Sequence, residues 1–299
     1  MKAVLLVLAA CGGSGGAGDD DVSIDAPADA APIACSCTYG QPHTAGAVAD
    51  NAAKELSGLA ASRTTTNVLW THNDSGDGPR LFAVGNDGAN LGEATLTGAT
   101  ATDWEDIATA PCGDHQCLYI GDHGDNDLAR ASVRIYEVDE PAIAEDMTPT
   151  FRAFDIAYPD GKHNAEALFV DPRDGASYVI TKQPTNPSRV FHMPRTDGQV
   201  ATAVAIGALA IPSGNLLVTG ADLHADACGI ALLVRTYSAL FELRAGPAAT
   251  IPELLAAPLR QVPVAAEAQG EAIAWRVDGT GYVTVSEGNS AVLAETSCQ

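Results

Sequence analysis

Two short segments place oxygen and imidazole donors at close spacing: His72-Asn-Asp-Ser-Gly-Asp77 and Asp122-His-Gly-Asp-Asn126. Short-armed carboxylates and carboxamides in a tight loop are hard donors, the kind that Ca²⁺ takes in groups of about six to eight. Neither segment has the spacing of an EF-hand loop. Four glutamates, Glu55, Glu105, Glu166 and Glu271, each stand among small and apolar residues, and with Asp122 they form the candidate metal set. Carboxylates gathered in one place repel unless a cation or a basic side chain intervenes. Asn73, Asp74, His123, Asn164 and Glu287 join Lys182, Arg189 and Arg235 as candidate ligand-binding residues. The three cations would either hold an anionic group beside a metal or neutralise neighbouring acids. If a bound ion polarised a scissile bond, His72 and His224 are the candidate bases. The histidines at 72, 123, 163 and 224 lack the HxxxH or HxH spacing of a transition-metal site. GxSxG, SxxK, P-loop and GxGxxG patterns are absent, so a serine-hydrolase elbow or a nucleotide cradle has no support.

Residues so widely separated act together only where the fold gathers them, and self-comparison identifies such a fold. Five segments share one order: an acidic residue beside small apolar ones, a β-rich run ending in polar residues, then a second β run. They open at Glu55-Leu-Ser-Gly-Leu, Trp104-Glu-Asp-Ile-Ala, Asn164-Ala-Glu-Ala-Leu, Thr219-Gly-Ala-Asp-Leu-His and Gln269-Gly-Glu-Ala-Ile. The acids fall at 55, 105, 166, 222 and 271, a mean step of about 54 residues against the roughly 40–50 of a four-stranded propeller blade. Asp-Gly pairs at 87–88, 174–175, 197–198 and 278–279 punctuate the joins. No long amphipathic helical pattern interrupts them. The sequence therefore predicts an all-β chain, a single β-propeller of five four-stranded blades. Six blades, with one between residues 195 and 222, and a β-sandwich are the alternatives. The fifth copy ends after three strands. Residues 38–50 offer an extended segment that would close the ring on the last blade and remove two exposed edges. In a propeller the first strand of each blade lines the channel, and the loops before it and after the second strand open on one face. That face would collect the candidate residues, with Trp70, Trp104 and Trp275 in the core.

Of 299 residues 38 are acidic and 16 basic, for a net charge of −22. Nucleic-acid binding draws on Lys and Arg against phosphate and is excluded as an expectation. Met1-Lys2, an apolar run and Leu8-Ala-Ala-Cys11 read as a signal peptide over 1–10 with a lipid-modified Cys11. Residues 11–34, rich in Gly, Ser, Asp, Ala and Pro, read as a flexible tether, and 35–299 as the propeller domain. The expected address is export and lipid anchoring in the cell envelope, at the outer membrane of a two-membrane bacterium. The anchor would be the sole membrane contact of a monomer that takes a small-molecule, envelope or extracellular ligand. An even set of cysteines besides Cys11 predicts disulfides: Cys112 with Cys117, and Cys298 with Cys35 or Cys37.

The recurring Glu-Leu-Ser-Gly-Leu, Asp-Trp-Glu-Asp-Ile-Ala, Asn-Ala-Glu-Ala-Leu and Gln-Gly-Glu-Ala-Ile segments resemble a broad group of exported bacterial propellers. That group includes phytase-like, esterase-like and lactonase-type proteins, and the likeness spans 55–299 as a pattern. It implies acids that bind calcium, with Glu166 and Glu271 matching best. The dense Lys/Arg set expected for an inositol polyphosphate is missing, which counts against phytase activity. Since the residues assemble no nucleophile–base constellation, the expected function is a calcium-loaded binding module, with metal-dependent hydrolysis of phosphoester or lactone bonds as the alternative.

Overall fold

Runs of β-branched and aromatic residues separated by turn signals form five antiparallel sheets, each one blade of a propeller. In the computed structural model the described residues are 37–212, 214 and 217–299, within the unit Ala34–Gln299. The expected signal peptide, the tether, Cys11 and Cys35 lie outside them. Blade one comprises Leu56–Ala61, Val68–Asn73, Arg80–Gly85 and Asn90–Thr95, and blade two Trp104–Cys112, His115–Asp122, Val133–Asp139 and Phe151–Ala157. The two-residue strands Asp146–Met147 and Ala201–Thr202 add a parallel fifth strand to the outer edges of blades one and two. Blade three is Ala165–Val170, Ser177–Thr181, Ser188–His192 and Val204–Leu209. Blade four is Val218–Asp226, Gly229–Thr236, Leu240–Ala245 and Arg260–Val262, with the short helix Ile251–Leu255 before its last strand.

Blade five takes Gly270–Trp275, Gly281–Ser286 and Val292–Ser297 from the end of the chain and its outer strand, His43–Ala47, from the beginning. This is the ring closure expected from residues 38–50. A disulfide between Cys37 and Cys298, 261 residues apart, fastens it. Cys112 is bonded to Cys117 as expected, and Cys228 is also disulfide-bonded.

The core is divided into five slabs, each lying between adjacent blades. One unites Trp70 and Leu81 of blade one with Trp104, Ile120 and Tyr136 of blade two; another unites Phe169 and Ile180 with Leu232 and Phe241 of blades three and four. The three tryptophans are buried there, as expected. Inner strands packed on both faces read as continuous small and apolar runs rather than as alternating ones.

Candidate cation site at the channel mouth

One irregularity recurs in all five blades and sets the geometry of the site. Each innermost strand carries a bulge near its start, between Leu56 and Gly58, Trp104 and Asp106, Ala165 and Ala167, Val218 and Gly220, and Gly270 and Ala272. A bulge leaves its extra residue outside the ladder and re-aims that side chain. The bulged residues are Ser57, Glu105, Glu166, Thr219 and Glu271. The same register aligns the residues that follow the second strands: Asp74, His123, Lys182, Tyr237 and Glu287. Two five-membered rings therefore surround one end of the channel.

The register corrects two expected alignments. Glu55 is exposed and lies before its strand; Ser57 holds the equivalent place and donates its hydroxyl to the Glu105 carbonyl at 2.6 Å. In blade four the place belongs to Thr219, whose hydroxyl donates to the Gly270 carbonyl at 3.0 Å. Asp222 lies deeper in the strand, where its carboxylate accepts the Trp275 amide at 2.7 Å, and burial pushes its pKa up to about 7. Asp106, which unlike Asp222 is fully buried, accepts the amides of Ile107, Leu168 and Ala221 and so ties the inner strands of blades two, three and four together. These two acids hold the ring rather than line its mouth.

At the mouth, single oxygens of Asp74, Asp103 and Glu105 lie within 4.8 Å of one another. Glu105 is 2% exposed, and no hydrogen-bond donor among the described residues reaches its carboxylate. Burial, with Glu166, Asp74 and Asp103 close by, holds its pKa well above the ordinary range. Burial and the neighbouring acids raise Asp103 to about 6, and burial raises Glu271 to about 8. Lys182 is the cation of this group. Its Nζ donates to Glu166 Oε2 at 2.7 Å and lies 4.8 Å from the centre of the Tyr237 ring. Gln269 donates to Glu271 and Glu287 at 2.9 and 2.8 Å, and Asn164 donates to Glu166 at 3.1 Å.

Other candidates have structural partners. Asn73 Oδ1 accepts the amides of Lys54 and Glu55, and Asp122 caps the equivalent loop through the amides of Thr102 and Asp103 while pairing with Arg130 at 2.8 Å. His72 is fully buried; Cβ on Gly58 would fall 2.6 Å from its Nε2, and burial lowers its pKa to about 4. His123, equally buried, holds the Ala165 carbonyl through Nδ1 at 2.8 Å. His224 lies near the far end of its strand, packed on Trp275 and beside Asp226, away from the mouth. Arg189 is on the third strand of blade three, paired with Asp160. Arg235 is fully buried beneath Gly270, bonded to Glu267 at 2.6 Å.

No protein-family model matches the chain, and no curated protein matches it in sequence. Among solved structures, the major allergen Mala s 1 of Malassezia sympodialis aligns with a TM-score of 0.54 at 10% identity, over 87% of this chain and 96% of that one. This likeness speaks for the fold alone. A gluconolactonase of Xanthomonas campestris aligns at a TM-score of 0.45 and 15% identity, over 88% of this chain and 96% of that one. The soluble aldose sugar dehydrogenase of Escherichia coli, in its apo form, gives 0.47 at 9%, over 88% and 100%. Neither is similar enough to bear on chemistry.

Proposed function

We propose that this chain is a binding protein whose channel mouth holds a hard divalent cation, Ca²⁺, between Asp74, Asp103 and Glu105 and presents it to an oxygen-rich ligand. The supporting observation is the convergence of three carboxylates from two blades within 4.8 Å, one of them deeply buried and without a donor. With Ca–O distances of about 2.3–2.6 Å, two oxygens on one ion stand at most about 5.2 Å apart, so the cluster fits. Three carboxylates leave coordination positions open for hydroxyl, carboxylate or phosphate oxygens of a small or envelope-associated ligand. Lipid attachment at Cys11 and the segment 11–34 would tether this propeller at the cell envelope.

The hydrolytic alternative requires a base beside the ion. His72 is enclosed in the blade wall and His224 lies away from the mouth, so binding is the better-supported reading. Calorimetric titration of the metal-stripped protein with Ca²⁺ tests it. Single-site binding should weaken at least tenfold in Glu105→Gln, a loss of about 1.4 kcal/mol or more, and stay unchanged in Glu55→Gln. Absence of binding at millimolar Ca²⁺, or equal affinity in Glu105→Gln, overturns it.

A further inference from the structure

We infer that the hairpin closing the first strand of blade two is a thiol-gated zinc site: once Cys112 and Cys117 are reduced, Cys112, His115, Cys117 and Asp139 form a Cys₂-His-Asp ligand set for Zn²⁺. One donor atom from each of the four lies within 4.8 Å of the others. Backbone pairing creates the arrangement, since Cys112 faces His115 across the hairpin and Cys117 faces Asp139 on the next strand. Cys117 Sγ stands 3.8 Å and His115 Nε2 stands 2.9 Å from Asp139 Oδ1. A zinc tetrahedron built with Zn–S near 2.3 Å and Zn–N or Zn–O near 2.0–2.1 Å has edges of roughly 3.3–3.8 Å. Small side-chain rotations therefore complete it once the sulfurs separate.

The imidazole is already oriented for this role. Asp114 Oδ1 sits 3.0 Å from His115 Nδ1, which leaves Nε2 facing Asp139. A carboxylate on the far nitrogen is the usual outer partner of a metal-bound histidine. His115 and Asp139 side chains are 53% and 60% exposed, and a cavity of about 480 Å³ opens beside Cys112, His115 and Asp139. An ion can thus enter from solvent.

Chain-entropy stabilisation is smaller for these sulfurs than for the ring-closing pair. The bond spans a separation of 5 residues, against 261 for Cys37–Cys298. Closing so short a loop removes less chain entropy than closing the ring does, and the hairpin pairing already holds its ends.

The chemistry balances with a phosphine as reductant. Phosphorus attacks one sulfur, the S–S bond breaks, and water supplies the oxygen of the phosphine oxide and the protons of two thiols. Zn²⁺ then displaces two protons to form two Zn–S bonds, while His115 binds as neutral imidazole and Asp139 as carboxylate.

The test is titration of the full chain with Co²⁺ after phosphine reduction, followed by displacement with Zn²⁺. One equivalent should give thiolate-to-cobalt charge-transfer bands and the visible bands of a tetrahedral ion. The oxidised chain and the Cys112→Ser/Cys117→Ser double variant should lack them. His115→Ala and Asp139→Asn should weaken binding at least tenfold, and Asp114→Asn about tenfold. Circular dichroism verifies that each variant is folded. The same bands in the double variant would assign the metal to the remaining cysteines and overturn the inference, as would equal charge-transfer bands from the oxidised chain or none from the reduced one.

Discussion

Replacing Glu105 by Gln should stabilise the metal-free protein. Two unit charges no more than 4.8 Å apart repel by about 3.5 kcal/mol or more at an effective dielectric constant near 20, and Glu105 has two such neighbours. The native chain limits this cost by taking up a proton. The Glu105 pKa in the folded state is raised above the ordinary glutamate value of 4.5 by burial and by Glu166, Asp74 and Asp103, and holding a proton above that value costs about 1.36 kcal/mol per pH unit. A neutral amide avoids that cost and offers two donors to Asp74 and Asp103. For a chain of this size about 3 kcal/mol corresponds to a melting temperature higher by about 6–12 °C. The pH dependence has a defined sign. Because the folded-state pKa of Glu105 is raised, its penalty is absent near pH 4 and grows as pH rises. The advantage of the variant should do the same. Asp103 and Glu271, raised to about 6 and 8, weaken the native fold over the same rise. His72 and His123 act oppositely: lowered to about 4, they contribute stability that is complete above pH 6.5 and lost as pH falls toward 4. Thermal melts in chelator from pH 5 to pH 8 measure the difference. Adding Ca²⁺ should reverse the order, since only the native chain gains a full ligand set. A Glu105→Gln variant no more stable than the native chain at pH 8 in chelator would refute the reasoning, because the carboxylate would then be compensated already.

Two further outcomes concern the frame. A Cβ on Gly270 would overlap the Arg235 guanidinium, whose Nε it would approach to 2.6 Å, so Gly270→Ala should cost about 3–5 kcal/mol in denaturant unfolding by separating the buried Arg235–Glu267 pair. In an Arg235→Met background the same substitution should add little. The Cys37→Ser/Cys298→Ser variant should unfold at lower denaturant, by about 4–5 kcal/mol, since the bridge constrains nearly the whole ring.

The propeller was legible in the sequence because each blade repeats the same order of small, apolar and turn residues. Even the closing segment around Thr44 could be read from a fifth copy one strand short. Register was less legible. Inner strands buried on both faces lack a period-2 pattern, so the acids alone align Glu55 and Asp222 with Glu105, while the bulge places Ser57 and Thr219 there. Asn73 and Asp122 looked like ligands because a loop-capping carboxamide or carboxylate has the same short-armed chemistry as a calcium donor. His72 precedes Asn73 in a polar run, yet successive strand residues face opposite ways, and its ring falls inside the wall. Asp74, Glu105 and Lys182 come together as the repeat pattern implies, because the loops after second strands open on one face with the starts of the first strands.

The most direct measurement is an anomalous-diffraction map of crystals grown with Ca²⁺. The account predicts one strong peak about 2.3–2.6 Å from oxygens of Asp74, Asp103 and Glu105. A peak elsewhere with this cluster empty, or no peak at saturating Ca²⁺, would contradict it.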